Sequence, residues 1–299
     1  MSIYVDEKTR VIVQGITGSQ GSFHTEMMLR YGTKIAAGTN PKKAGTEVCG
    51  VPVFATVREA KEATGADASI IFVPPSAAAG SIIEAAEAGI DLCVCITEHI
   101  PVNDMVRVKA QLAHSRMRLI GPNCPGIISP GKCKLGIMPQ DIHMQGHIGI
   151  VSRSGSLTYE TIRQLTDRGL GQSTTVGIGG DGIKGTTFLD AVRAFAEDDD
   201  TYAIVMIGEI GGTEEQQAAE WAYHNCPKPI TGFIGGRSAP KGKRMGHAGA
   251  VAAGKGGSAA DKIRYLQERK IRTADTADDI GDVLEEMLKE YGLYERCRR

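Results

Sequence analysis

The chain has 299 residues, 41% hydrophobic and 23% charged, with a formal net charge of −1. This length accommodates two domains of ordinary size, and the balanced charge argues against a nucleic-acid protein, which carries a basic excess. No run of about 18 apolar residues is present to span a membrane. The acidic residues 1–7 read as neither a signal nor a transit peptide, so the expectation is a cytoplasmic protein.

In chain order, the first apolar run, 11–13, reads as a buried strand. It runs into Gln14-Gly15-Ile16-Thr17-Gly18-Ser19-Gln20-Gly21, a turn that opens the first helix. A helix N-terminus offers free N–H groups and a partial positive charge, so a pyrophosphate belongs there. The spacing is Gly-x-x-Gly-x-x-Gly, not the Gly-x-Gly-x-x-Gly of most dinucleotide folds, and a tight turn without a ligand is the alternative. Strand 35–38 ends in Thr39-Asn40-Pro41-Lys42-Lys43. Nicotinamide-binding domains carry an acid there for the adenosine ribose. Two lysines suit a ribose with an added phosphate, which leaves NADP and coenzyme A both open. Strands 68–73 and 92–96 alternate with helices 76–88 and 102–113, the pattern of a parallel, doubly wound sheet.

The Pro/Gly-rich stretch 121–136 interrupts that alternation and marks the domain boundary, which we set between 122 and 123. The pattern then restarts. Strands are expected at 147–152, 174–178, 203–207 and 229–234. Helices are expected at 156–167, 186–196, 214–224, 258–267 and 277–291, with a frayed tail at 295–299. The seven cysteines are odd in number and scattered, which argues against a disulfide framework. Cys93 and Cys95 read as buried core thiols, and Cys124 as a packed turn residue, with a place near a ligand as its alternative.

Three segments of the second half carry chemistry. Residues 149–160 are strand, turn and helix again, with Ser154 and Gly155 at the helix start: either an anion site or ordinary N-capping. A hydrolase elbow is excluded, because Ser152 stands where that motif needs glycine. Glu209 sits at the carboxyl end of a buried strand, where ligands bind in open α/β sheets. A carboxylate there can hold a histidine's other ring nitrogen and fix its tautomer. Thr213, Glu214 and Glu215 read as a simple helix start. Finally, His247 lies between glycines beside Lys241, Lys243 and Arg244, a setting for nucleophilic attack on phosphorus or for a solvated basic loop. His114, His147 and His224 read as surface residues, His24 as packed or near the phosphate turn, and His143 as support for the site.

Taken together, Gly15-Ile16-Thr17-Gly18-Ser19-Gln20-Gly21, Ile96-Thr97-Glu98, Gly121-Pro122-Asn123-Cys124-Pro125-Gly126, Val151-Ser152-Arg153-Ser154-Gly155, Gly177-Ile178-Gly179-Gly180-Asp181, Gly208-Glu209-Ile210-Gly211-Gly212 and the His247 loop resemble the succinyl-CoA synthetase (succinate–CoA ligase) α-subunit family over essentially the whole chain. The resemblance implies an α/β protein. Residues 1–122 would form a Rossmann-like CoA-binding domain, and 123–299 a flavodoxin-like, doubly wound ligase domain. It implies that His247 is phosphorylated with Glu209 on its ring. Thr17, Gly18, Ser19, Gln20, Lys43, Ile96, Thr97 and Glu98 would bind CoA. Tyr159, Ser154, Gly155 and Asn123 would face the acid and the phosphate. No metal ligand set is expected on this chain. ATP or GTP with Mg²⁺ would be bound mainly by a partner β subunit with an ATP-grasp domain, in an αβ or α2β2 assembly. The acid would be a small dicarboxylate. His99 and Gly182 depart from the family pattern, so malate and citrate stand behind succinate. An NADP-dependent oxidoreductase is the rival from another class, and it leaves His247 and Glu209 unexplained.

Overall fold

The structure, a computed structural model, describes residues 2–240, 245–251 and 256–298. The first half runs β1 (Arg10–Gln14), α1 (Ser19–Tyr31), β2 (Lys34–Thr39), β3 (Glu47–Val48), β4 (Val51–Phe54), α2 (Val57–Thr64), β5 (Ala68–Ile71), α3 (Pro75–Glu87), β6 (Leu92–Cys95), α4 (Val102–Leu112) and β7 (Arg118–Ile120). The sheet order is β3-β4-β2-β1-β5-β6-β7, parallel except for the short β3. Counting only the parallel strands gives 3-2-1-4-5-6, the dinucleotide-binding order. β1, β5 and β6 are buried on both faces, which is why they read as continuous apolar runs.

The second half runs β8 (Gly126–Ser129), β9 (Cys133–Gly136), β10 (Gln145–Ser152), α5 (Gly155–Asp167), β11 (Gln172–Gly177), α6 (Phe188–Glu197), β12 (Ala203–Glu209), α7 (Glu214–Asn225), β13 (Ile230–Gly235), α8 (Ala259–Glu268), β14 (Arg272–Thr273), α9 (Ile280–Glu290) and α10 (Tyr294–Cys297). The order is β14-β13-β12-β10-β11-β8-β9. Its five parallel strands read 2-1-3-4-5, the flavodoxin order, so both halves match the expected doubly wound architecture. The two halves touch at several points. The Tyr4 hydroxyl donates to the Asp190 carbonyl at 2.9 Å, and Thr186 Oγ1 donates to the Leu119 carbonyl at 2.7 Å.

Several expectations are corrected. The 121–136 stretch is more than a break: β8 and β9 form an antiparallel hairpin that extends the second sheet. Strands this short carry no readable period. The tail is not frayed, because α10 buries Cys297 completely and Arg298 bridges to Leu170. His147 is half-buried: its Nδ1 lies 2.8 Å from the Asp200 carbonyl and its ring stacks on Tyr202. Glu215 does more than start a helix; it is fully buried.

Candidate active site

Ligands of open α/β sheets bind beyond the carboxyl ends of the strands, at the point where strand order reverses. In the first sheet that point lies between β1 and β5; in the second, between β10 and β12. A cleft of about 490 Å³ lies where these two ends meet. Its walls include Gln20, Ile96, Thr97, Glu98 and His99 from the first half, and Asn123, Cys124, Arg153, Gly155, Tyr159 and His247 from the second.

On the first side, Gly15 takes φ +82° in the turn after β1. A Cβ on Gly21 would meet the Gly15 carbonyl at 2.2 Å, so only glycine lets α1 start this close to the strand. Gly18 caps α1 without a side-chain bond, which leaves the first helical N–H groups open toward a ligand. Asn40 Nδ2 donates to Thr17 Oγ1 at 2.5 Å, tying the glycine turn to the segment that carries Lys43. Lys42 and Lys43 are exposed at the end of β2. The Thr97 hydroxyl donates to the Val73 carbonyl at 2.7 Å and its own carbonyl accepts from Asn123 N–H at 2.9 Å. Of the residues expected at CoA, Gln20, Ile96, Thr97 and Glu98 line the cleft; Thr17, Gly18, Ser19 and Lys43 do not.

On the second side, Ser154 caps α5, its side chain accepting from the Leu157 N–H at 3.4 Å. The helix therefore presents the Gly155 end of its dipole to the cleft. Ser154 itself is not part of the cleft wall. Burial raises the Tyr159 phenol above its ordinary pKa, with Cys124 adding to the effect. Asn123 donates through Nδ2 to Asp181 Oδ1 at 2.9 Å.

His247 sits in a tight loop, with its ring Nδ1 2.8 Å from Glu209 Oε2. An ionised carboxylate only accepts, so in the neutral ring this contact favours the tautomer with the proton on Nδ1 and the lone pair on Nε2. This bond raises the His247 pKa; burial and Arg153 oppose it. The ring packs on Gly180, where a Cβ would lie 2.2 Å from its Cγ. Lys241, Lys243 and Arg244 lie outside the described residues.

Behind Glu209 stands a group of buried charges, Arg153, Glu215 and Lys262. Arg153 is 4% exposed, and its Nε lies 3.2 Å from Glu209 Oε1, a contact of charge without hydrogen-bond alignment. Glu215 Oε1 accepts the Glu209 N–H at 3.2 Å and pairs with Lys262 through Oε2. The Lys262 signal was present in the sequence: residues 259, 262, 263 and 266 share one helix face, so its ammonium points into the core. His143 does not line the cleft; Nδ1 bonds the Pro139 carbonyl and Nε2 is buried without a partner. His24 does line it, stacked on Phe72, and burial lowers its pKa. Cys124 is both packed and in the wall.

A Rossmann half and a flavodoxin half thus meet at a cleft whose wall includes a carboxylate-bound histidine. Residues 6–99 match the CoA binding domain family and residues 151–272 the CoA-ligase family. The chain is 58% identical over 295 residues to the succinate–CoA ligase [ADP-forming] subunit alpha of Staphylococcus aureus, covering 99% of this chain and 98% of that one. It is 57% identical to the Staphylococcus epidermidis protein of the same name, with the same coverage. The chain belongs to the succinate–CoA ligase α-subunit family. In fold it is similar to ATP citrate lyase from Methanothrix soehngenii, solved with citrate and coenzyme A. That similarity has a TM-score of 0.87 at 24% identity, over 97% of this chain and 52% of that one. Among the described residues no helix is long and apolar enough to cross a membrane, and no group of three or more His, Cys, Asp or Glu is placed to hold a metal ion.

Proposed function

We propose that this chain is the α subunit of an ADP- or GDP-forming succinate–CoA ligase that works through a phosphohistidine at His247. The observation that carries the reading is the 2.8 Å bond between His247 Nδ1 and Glu209, at the edge of a cleft shared by both halves. With Nδ1 committed, Nε2 is the nucleophile. It attacks the terminal phosphorus of a nucleoside triphosphate, the nucleoside diphosphate leaves, and Glu209 balances the charge that develops on the ring. The phosphoryl group then passes to a carboxylate oxygen of the acid, which regenerates the imidazole and yields an acyl phosphate. The CoA thiol, deprotonated, attacks that acyl carbon and inorganic phosphate leaves.

The chain's own residues serve each step by position. The Gly155 end of α5 offers N–H groups and a positive dipole end to the phosphoryl group and the acid. Tyr159 and Asn123 stand beside it. Gln20 and the 96–98 segment would hold the pantetheine arm, Thr17–Ser19 the pyrophosphate, and Lys43 the 3′-phosphate. His99 is exposed at the cleft wall, 3.3 Å from Glu98; a donor there suits a hydroxy acid, so malate and citrate enter the test. The proposal divides the chain between 122 and 123. It assigns the nucleotide and Mg²⁺, which supplies charge neutralisation at the phosphates, to a partner β subunit with an ATP-grasp domain, in an αβ or α2β2 assembly. The seven free thiols fit a reducing, cytoplasmic setting.

The test is intact-mass spectrometry of the αβ complex with MgATP or MgGTP. One added phosphoryl group is expected, labile in acid and stable in base, and absent from His247→Ala. Label that persists in His247→Ala would refute the assignment. Thioester formation with succinate, malate, citrate, acetate and butyrate at equal concentration then sets the acid.

A further inference from the structure

Glu209 is held from behind by a buried ion pair. Glu215 and Lys262 have fully buried side chains, carried by α7 and α8. Glu215 Oε1 accepts the Glu209 N–H at 3.2 Å, while Lys262 Nζ donates to the Glu209 carbonyl at 2.9 Å and to the Gly211 carbonyl at 2.7 Å. One ion pair thus grips the N–H and the C=O of the same residue. Arg153 spans the gap between the two acids, with Nη1 3.7 Å from Glu215 Oε1 and Nε 3.2 Å from Glu209 Oε1. The packing leaves room for this network through glycines. A Cβ on Gly208 would meet Glu215 at 2.6 Å, and one on Gly249 would meet Arg153 Nη2 at 2.4 Å.

Burying two full charges in a fold costs several kcal/mol before their attraction is counted. Apolar side chains of similar volume are commonly as stable there, so stability alone does not account for the pair. What the pair does uniquely is geometric. It fixes the end of β12, and it gives Arg153 a second carboxylate. Arg153 contacts Glu209 through Oε1, the oxygen that does not meet His247, and Glu215 draws its other end away.

We propose that the Glu215–Lys262 pair is the positioning element of the phosphoryl-accepting histidine: it fixes Glu209 and holds Arg153 back, so that Glu209 Oε2 stays on His247 Nδ1 and Nε2 faces the cleft. This rests on the functional reading above for its consequence, but not for its geometry. Among the described residues, the charged groups facing the His247 ring are Glu209 at the end of β12, Arg153 after β10 and Asp181 after β11. Glu209 keeps the imidazole proton affinity high, and Arg153 lowers it.

The test uses the αβ complex with two variants, Glu215→Gln and the apolar replacement Glu215→Leu/Lys262→Met. Four quantities are read: the single-turnover rate of His247 phosphorylation, the His247 titration midpoint from imidazole ¹⁵N shifts of the unphosphorylated protein, CoA affinity and the thermal midpoint. The expected result is a folded double variant that phosphorylates roughly tenfold or more slowly. Its His247 midpoint should fall toward the ordinary value, with CoA affinity unchanged. A purely structural role would lower the thermal midpoint and leave the His247 midpoint in place. Should the double variant fail to fold, Glu215→Gln, nearly isosteric, carries the same reading. A folded variant with wild-type phosphorylation and an unmoved His247 midpoint overturns the proposal. If the wild type takes no phosphoryl group but the His247 midpoint still falls in the variants, the functional reading fails and the positioning role stands.

Discussion

Gly180→Ala tests the site through shape alone. The backbone of Gly180 lies outside the left-handed region, so alanine adds no backbone strain there. Its methyl, however, would lie 2.2 Å from Cγ, 2.5 Å from Nδ1 and 2.6 Å from Cδ2 of His247. Carbon atoms sit comfortably at about 3.5 Å or more, so the ring must retreat by at least about 1.3 Å. The Nδ1 to Oε2 bond is 2.8 Å, and such a bond is lost beyond about 3.5 Å. A ring displaced that far gives up the bond unless Glu209 follows, and Glu209 is gripped at both its N–H and its C=O. A hydrogen bond to a charged group is worth about 1.5–3 kcal/mol, or roughly 10- to 150-fold in rate. The assay is rapid-quench phosphorylation of the αβ complex with labelled nucleotide, beside calorimetric CoA binding and a thermal melt. We expect slow phosphorylation with unchanged CoA affinity and a folded protein. A folded Gly180→Ala complex that phosphorylates within about twofold of wild type would refute the reasoning, since twofold is worth only about 0.4 kcal/mol.

Further outcomes follow from other parts of the molecule. Lys43→Ala should weaken CoA about tenfold or more, the value of one charge-assisted contact, and leave dephospho-CoA nearly unaffected; equal losses for both ligands by calorimetry would remove Lys43 from the 3′-phosphate. Burial holds the His143 pKa down to about 4, whereas an unfolded imidazole protonates near 6.5. The unfolded chain therefore binds the extra proton first, and stability should fall as pH drops from about 6.5 to 4, by up to about 1.4 kcal/mol per pH unit from this residue. Urea melts across that window should show a shallower slope for His143→Gln. His247 works in the opposite sense: Glu209 raises its pKa, so its contribution is complete below about 6.5 and is lost as pH rises through the folded value. Glu209→Gln should therefore lose most stability, relative to wild type, at the acid end. Deleting 294–299 uncovers the core around Cys297 and Leu170; the thermal midpoint should fall while CoA affinity, set in the other half, holds. An unchanged midpoint would return those residues to a dispensable tail.

Much of the fold was legible because buried parallel strands are continuous apolar runs, and β1, β5, β6, β10 and β12 all lie in such runs. The glycine turn after β1, the lysines after β2, Glu209 at the end of β12 and the glycine-flanked His247 were also legible, because each is a local pairing of residue type with backbone position. The tertiary structure decided what depends on partners distant in sequence. Nothing near Glu215 announces that its carboxylate meets Lys262, 47 residues away, and an acid in the first turn of a helix is normally explained by the helix dipole. Arg153 stood inside a motif, but its place between two carboxylates arises only when the ends of β10 and β12 lie side by side. The tail reads as polar and charged, and only packing shows that Cys297 is its anchor. Local sequence sets backbone geometry and burial period, which are properties of neighbours along the chain. Whether a buried charge is tolerated is settled by which opposite charge the fold brings to it, and no local pattern carries that information.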